Sequence, residues 1–471
     1  MTDPGTRTRA RGDPTSLQPM AHPDAQGPSA PYPGYLDRLM QRLEADAAAA
    51  EPVRSPHAGA PDGIVKALES AVETLAPELL ALSHDLHANP ELAFEEHAAS
   101  RRIASLLGDH GLHCEVGAYG LPTALRAGVG GDARPRVAVL AEYDALPGIG
   151  HACGHNVIAA TAVGAFLALA VVQQELGGSV QLIGTPAEEG GGGKELIARA
   201  GGFEAVDAVV MLHPMNIEVA EHPWIGVRQV RVTYHGRAAH AAAMPFMGRN
   251  ALDAVVSAYT GVAQLRQHML PSDRVHGVIT DGGSRPNIVP ERASALFYLR
   301  SAEPETLAEL SARAEDIFRA AAVSTGTSLE LEWDTCPVYL PVRNNGPLAA
   351  RYVQAMGRRG RRVLPRGVVP EHMTGSTDLG NVSVRVPAIH PTLKISPAEV
   401  SIHNPEFATW AAGQEADRGC LDGAFGLAAT AADFLADGRL RADVRAAFEA
   451  AGGVTDPGAV LGSEGPGALP P

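Results

Sequence analysis

The sequence predicts an α/β fold carrying a second, smaller domain as an insertion. Three observations support this. Arg136–Ala141 (RVAVLA) is an apolar, β-branched run of the kind that forms a buried strand. A proline-free Ala/Val/Leu stretch at 156–176 follows and is closed by Gly177-Gly178, as a buried helix would be. Ser179–Gly184 (SVQLIG) and Ala208–Leu212 (AVVML) then repeat the strand pattern. Alternation of strand and helix argues for a sheet with helices on both faces.

In chain order, residues 1–34 hold seven prolines within the first 33 positions and read as a disordered extension. Residues 35–50 could form a short helix, and 51–62 are linker-like. Helices are expected at 63–88, with Leu68, Val72, Leu75, Leu79, Leu82 and Leu86 near a 3–4 spacing, and at 96–110. From 226 the grammar changes. Val230, Val232 and Tyr234 alternate with Gln229, Arg231, Thr233 and His235, the mark of a half-exposed strand. A helix at 250–269, strands near 274–280 and 292–300, a helix at 304–323 and a strand at 328–334 complete a β-α-β-β-α-β, ferredoxin-like order. The α/β pattern resumes with a helix near 347–357, a strand at 386–389 and one long helix over 405–436. The expected organisation is therefore an extension and linker (1–62), a first α/β segment (63–224), the inserted domain (225–336), a second α/β segment (337–448) and a disordered tail (449–471).

A net charge of −15 argues against nucleic acid and anionic membranes as partners. The 4 cysteines lack framework spacing, which fits free thiols in a reducing compartment, one of them a candidate ligand. The 156–176 run carries Asn and Gln between strand patterns and reads as a core helix. No signal peptide is evident, so a cytoplasmic location is the default expectation.

The chemistry centres on residues 142–155, EYDALPGIGHACGH, between a strand and a helix. Ligands bind at that end of open α/β sheets. Cys153 and His155 lie two apart on a glycine-kinked turn and could face one metal ion; a buried cysteine beside a helix-capping histidine is the alternative. The strand at 179–184 leads to Glu188-Glu189 and four glycines. One carboxylate can bind metal while the other faces an activated water, although a solvated acidic loop would look the same. The strand at 208–212 runs into His213, and His403 precedes a helix. Cys153, His155, Glu189, His213 and His403 together form a set suited to zinc, manganese or cobalt.

The motifs EYDALPGIGHACGHN (142–156), PAEEGGGGK (186–194), HGRAAHAA (235–242), RPNIVPERA (285–293) and GSTDLGNVS (375–383) resemble, in order, those of a metallopeptidase family. That family includes aminoacylase, hippurate hydrolase and the indole-acetyl-amino-acid hydrolases, and the resemblance spans about 70–440. It is nearest to the branch of aminobenzoyl-glutamate hydrolase and β-alanyl (Xaa-Arg) dipeptidase. The resemblance implies a zinc-peptidase-like catalytic domain with an inserted lid that dimerises. It makes Cys153, His155, Glu189, His213 and His403 the ligands of one or two divalent ions, and Glu188 the general base. His240 becomes the donor to the oxyanion and Asn287 a substrate contact, with Asp144 orienting or binding metal and Asp378 shaping the pocket. Leu140-Ala141-Glu142 and Asn156 depart from the pattern of many relatives.

The expected activity is metal-dependent hydrolysis of a small amide: a dipeptide with a C-terminal basic residue, an aminobenzoyl-glutamate-like compound or another N-acyl amino acid. Arg285 is a further candidate for binding a substrate carboxylate. A catalytically silent metal-binding scaffold of the same fold, and a redox protein using Cys153, are the competing classes.

Overall fold

The computed structural model describes residues 34–370 and 373–461, so the expectations for 1–33 and 462–471 lie outside the described residues. The chain divides into two units, 1–45 and 46–471. A helix, α1 (Tyr35–Ala49), stands where a short one is expected.

The larger unit is built on a six-stranded sheet. Two long helices precede it, α2 (Asp62–Ala88) and α3 (His97–Asp109). The strands are β1 (Cys114–Val116), β2 (Leu125–Val129), β3 (Arg136–Glu142), β4 (Ser179–Thr185) and β5 (Ala208–Val210), joined at the far edge by Ala388–Ile389 from late in the chain. The order is β1-β2-β4-β3-β5 and then 388–389; β3, β4, β5 and 388–389 run parallel, whereas β1 and β2 are antiparallel additions. Side chains alternate along β3. Val137, Val139 and Ala141 enter one apolar core, while Ala138 and Leu140 enter another on the opposite face. Burial on both faces explains why β3 reads as an unbroken apolar run.

The first core lies beneath α2 and α4 (His155–Leu176), with the later helix at 414–436 packed on both. Helix α4 is long and apolar enough to cross a membrane, but 89% of that apolar window is buried inside the protein. The opposite face is covered by α5 (Gly193–Arg199) and by a short helix at Leu379–Ser383. Beyond β5, β6 (His213–Met215) pairs in parallel with Thr392–Lys394 in a separate two-stranded sheet.

The insertion consists of β7 (Gly226–His235), α6 (Ala251–Leu265), β8 (Arg274–Asp281), β9 (Arg292–Ser301), α7 (Pro304–Thr325) and β10 (Ser328–Trp333). Its antiparallel sheet runs β10-β7-β9-β8, a ferredoxin-like order with β8 and β10 at the edges. The α/β part resumes with α8 (Gly346–Arg358), then α9 (Leu379–Ser383), β11 (Ala388–Ile389) and β12 (Thr392–Lys394).

The helix expected over 405–436 is two helices, α10 (Pro405–Trp410) and α11 (Gln414–Ala436). The break falls at Gly413, whose extended backbone (φ −89, ψ 172) restarts the helix. Residues 449–461, assigned above to a tail, finish α12 (Gly438–Ala450) and form α13 (Pro457–Leu461), whose Leu461 packs into the core of the insertion. The linker-like stretch before α2 has no regular structure but is pinned. Ala60 N–H donates to Asp433 (2.7 Å), and the His57 carbonyl accepts from Arg351 (2.7 Å).

Candidate metal centre

The candidate residues gather at the carboxyl ends of β3 and β4 and at β6. Strand β3 ends in Glu142, and the chain then turns through Asp144 to Cys153 before α4 starts at His155. Gly154 makes that last turn possible. It lies at φ +78, and a Cβ there would sit 3.0 Å from Pro214. Cys153 Sγ stands 3.5 Å from His213 Nε2 and 3.4 Å from His403 Nε2. Glu189 Oε1 lies 3.5 Å from His403 Nε2 and 4.0 Å from His155 Nε2. All five ligands expected from the sequence therefore converge.

Their orientation is set by hydrogen bonds behind them, as at metal sites generally. Asp144 Oδ1 is 3.0 Å from His155 Nδ1, and Asp144 Oδ2 accepts from the Glu189 backbone N–H (2.9 Å). Asp144 thus ties the two ligand loops together, which fits the orienting role among the two expected for it. His213 Nδ1 donates to the Pro214 carbonyl (2.7 Å), which turns Nε2 toward Cys153. The His403 backbone N–H donates to the Ala152 carbonyl (2.8 Å). Asn156 is structural: its amide donates to Ser83 Oγ (3.0 Å) and to the carbonyl of Ala411 (2.9 Å). The carbonyl contact needs a donor, which Asn has and ionised Asp lacks.

The donor atoms fall into three groups whose members lie within 4.8 Å of one another: Cys153, His155 and His213; Cys153, Glu189 and His403; Glu142, His155 and Glu188. The first two share the Cys153 sulfur. Buried polar atoms in proteins are normally paired, yet Glu142 Oε1, His155 Nε2 and Glu189 Oε1 are buried without a hydrogen-bond partner. Unpaired imidazole and carboxylate atoms, gathered around the Cys153 sulfur, fit a divalent cation.

The electrostatics agree at His213 and Glu188, while at His155 burial is outweighed by Glu142, Cys153 and Asp144, which favour a ring proton that a cation would displace. Burial, then His155, lowers His213 to about 4, keeping the neutral imidazole that a metal needs. Burial, then Glu142 and Glu189, pushes Glu188 well above the usual carboxylate range, as suits a group that takes up and releases a proton. Burial and Glu189 raise the Cys153 thiol; a coordinated cation reverses that balance.

The residue before the base is strained. Ala187 has φ +59 and is fully buried. Its N–H donates to Glu96 Oε1 (2.9 Å), which also accepts from the Phe94 N–H (2.9 Å). The Thr123 hydroxyl donates to Glu96 Oε2 (2.7 Å), and Tyr339 OH donates to the Glu188 carbonyl (2.7 Å). Asp378 does not line an open pocket. It is fully buried, accepting from Lys194 Nζ (2.6 Å) and from the Lys194 backbone N–H (2.9 Å), while Nζ also pairs with Glu142 Oε2. The sequence alone assigns no role to Glu142, Lys194 or Glu96. Nor does it point to the buried ring cluster behind His213, where Trp224 and His390 are centred 5.2 and 5.7 Å away.

His240, Asn287 and Arg285 lie on the exposed surface of the insertion, where His240 bridges to Ile288. Arg285 lines an open groove of about 370 Å³ with Asn250, Leu252 and Pro290. Among the described residues, no hydrogen bond or ion pair joins these three to the Cys153 cluster. His240 Nδ1 accepts from the backbone N–H groups of Ala242 and Ala243 (3.3 and 3.2 Å), so its ring proton sits on Nε2, facing outward as a donor.

This constellation is that of a metallopeptidase-type hydrolase, and residues 138–413 match the family described as Peptidase family M20/M25/M40. The chain belongs to that family. It is 39% identical to the Xaa-Arg dipeptidase of Mus musculus over 396 residues, covering 80% of this chain and 90% of the relative. It is also 33% identical to one of the subunits of the p-aminobenzoyl-glutamate hydrolase of Escherichia coli over 302 residues, 59% of this chain and 63% of that protein. Among solved structures it resembles a dinuclear metal binding peptidase of the M20 family from Bacillus subtilis, with a TM-score of 0.56 at 21% identity over 75% of this chain and 99% of that one. A likeness at that identity speaks for the fold. The chain is an enzyme of the amidohydrolase and dipeptidase class.

Proposed function

We propose that the protein hydrolyses the amide bond of a dipeptide or N-acyl amino acid at a centre holding one or two divalent ions, zinc, manganese or cobalt. The observation that carries this reading is the buried carboxyl of Glu188 directly beside the converging ligands. Cys153, His155, Glu189, His213 and His403 would hold the cation, which supplies the Lewis acidity that makes water nucleophilic near neutral pH. Glu188 takes the proton from the attacking water and passes it to the leaving amine. The Nε2–H of His240 donates to the carbonyl oxygen as negative charge develops there. Asn287 and Arg285 hold the carboxylate of the leaving residue.

We propose that His240 reaches the centre of a second copy of the chain, since no hydrogen bond or ion pair joins it to the Cys153 cluster of its own chain among the described residues. Strand β8 supports this as an unpaired edge, and Val278 (60% exposed) and Phe246 (79% exposed) on the same domain are large apolar side chains facing solvent. We therefore read the protein as a homodimer through the lid, acting on small molecules in the cytoplasm.

Xaa-basic dipeptides rank first as substrates, because the match to the Xaa-Arg dipeptidase spans more of the chain at higher identity. Aminobenzoyl-glutamate ranks second. The test is a panel of both classes on protein stripped with EDTA and reloaded with Mn²⁺, Co²⁺ or Zn²⁺. Hydrolysis should vanish on stripping and return on reloading. Activity that survives exhaustive chelation refutes the metal reading, and metal-loaded protein inert to the whole panel favours a silent scaffold.

A further inference from the structure

Resting on that reading of the centre, we propose that Glu142 is a sixth protein ligand: it shares with His155 the coordination of the buried ion, and the buried ammonium of Lys194 holds it in place. Glu142 Oε1 and His155 Nε2 are both fully buried and 3.0 Å apart, yet neither makes a hydrogen bond. Asp144 explains the state of the imidazole. An ionised carboxylate only accepts, so the contact from Asp144 Oδ1 to Nδ1 places a proton on Nδ1 and turns Nε2 toward Glu142 Oε1. The two atoms face each other in a buried site without the geometry of a hydrogen bond. A positive centre to which both point resolves the conflict. Donor atoms about 2.1 Å from one cation lie roughly 3.0–3.4 Å apart across right to tetrahedral angles, so the 3.0 Å separation falls within reach of one ion.

The other oxygen of Glu142 explains why this carboxylate keeps its place. Oε2 pairs with Lys194 Nζ, whose second partner is Asp378 Oδ1. All three side chains are fully buried. Lys194 fixes the rotamer of Glu142 without occupying Oε1, a partner behind the ligand of the kind that orients metal sites. Glu142 would then meet the buried ion through His155, the residue that its donor group shares with Cys153 and His213. The other group, Cys153, Glu189 and His403, includes the partly exposed Glu189 and the exposed His403. Two positions of unequal affinity follow, with the fully buried position the tighter.

The experiment measures ions per chain by elemental analysis after gel filtration, and the visible absorption of Co²⁺ titrated into apo-protein without substrate. Wild type should show a tight and a weaker phase. Glu142→Gln should weaken the tight phase by about 100-fold or more, beyond the roughly 10- to 100-fold cost of losing an outer partner. Lys194→Met should fall within that outer-partner range. Glu188→Gln makes the same substitution in the same cluster, at a carboxyl assigned to the water rather than to the ion, and should leave the tight phase intact. Because Glu142→Gln strands the ammonium and could unfold the chain, the double variant Glu142→Gln/Lys194→Met removes both charges and should show the same loss. Unchanged tight binding in the folded double variant overturns the proposal. An equal loss in Glu188→Gln also overturns it, since the change of carboxyl to amide in the cluster, rather than ligation by Glu142, would then be responsible. Wild-type protein that binds no ion would instead defeat the reading of the centre itself.

Discussion

Truncating Glu96 to alanine should cost the protein both stability and turnover, although Glu96 lies outside the ligand set. Its carboxylate accepts from the backbone N–H groups of Ala187 and Phe94 and from the Thr123 hydroxyl, and it is fully buried. Glu96→Ala leaves the Ala187 N–H buried without a partner and frees the Phe94 N–H as well. A buried donor left unpaired costs about 1–3 kcal/mol, so the two predict a loss of about 2–6 kcal/mol. The same contact holds Ala187 at φ +59, a conformation that costs a non-glycine residue roughly 1–2 kcal/mol. Released, residue 187 relaxes and carries Glu188 with it, and a displacement of about 1 Å at a reacting group can cost roughly 10²-fold in kcat. Glu96→Gln is the matched control. Burial, with Asp144 nearby, raises the Glu96 carboxyl to about 7, so a neutral amide is a mild change of charge. Its oxygen can accept both N–H groups while its NH₂ donates to Thr123, and a loss of about 1 kcal/mol or less is expected. Urea unfolding and steady-state kinetics on metal-loaded protein read both effects. If Glu96→Ala unfolds within about 1 kcal/mol of wild type and keeps its kcat, the strain at Ala187 is not held by Glu96 and the reasoning fails.

Three further outcomes are expected. Glu188→Gln should retain metal and lose roughly 10²-fold or more in rate, whereas Glu189→Gln should weaken metal binding itself; equal metal loss in both would reverse these roles. Mixing His240→Ala with Glu188→Gln subunits should restore activity that neither homodimer has, because one composite site then keeps both groups; confirmed heterodimers that stay inactive would exclude action in trans. Away from the centre, burial outweighs Arg361 and raises Glu218 from 4.5 to about 7, so the folded state holds the extra proton and stability falls as pH rises through that window. Glu218→Gln should therefore gain on wild type between pH 5 and pH 8 by up to about 3 kcal/mol in urea unfolding, and a difference independent of pH would contradict the assignment.

What can be read from the sequence divides along a physical line. Cys153, His155, Glu189 and His213 are legible because residue type and position at or just past a strand end together specify chemistry. The two layers of helix and the ferredoxin-like insertion are legible from periodicity. The antiparallel hairpin β1–β2 is not, since Cys114-Glu115-Val116 is too short and polar to alternate. Lys194 follows four glycines and looks like a solvated lysine. It is buried only because Glu142 and Asp378, 52 and 184 positions away, meet it in space. Glu142 stands out as a departure from a family pattern, but nothing near it in sequence reveals its partner. Groups whose role depends on a distant counter-charge carry no local signal.

The same counter-charges bear on how many ions the centre takes. Glu142, Asp144, Glu188, Glu189 and Asp378 bring five carboxyl groups to one largely buried region, against a single ammonium from Lys194. Cys153 adds a further negative charge once it binds metal. Burying unpaired charge is costly, and Lys194 with one divalent ion leaves the region strongly negative even when Glu188 holds a proton. A second divalent ion brings it close to neutral. The shared position of the Cys153 sulfur in two ligand groups points the same way, since one thiolate can bridge two cations. On the proposed reading, charge balance and geometry suit two ions, the weaker at Glu189 and His403, where solvent can reach it.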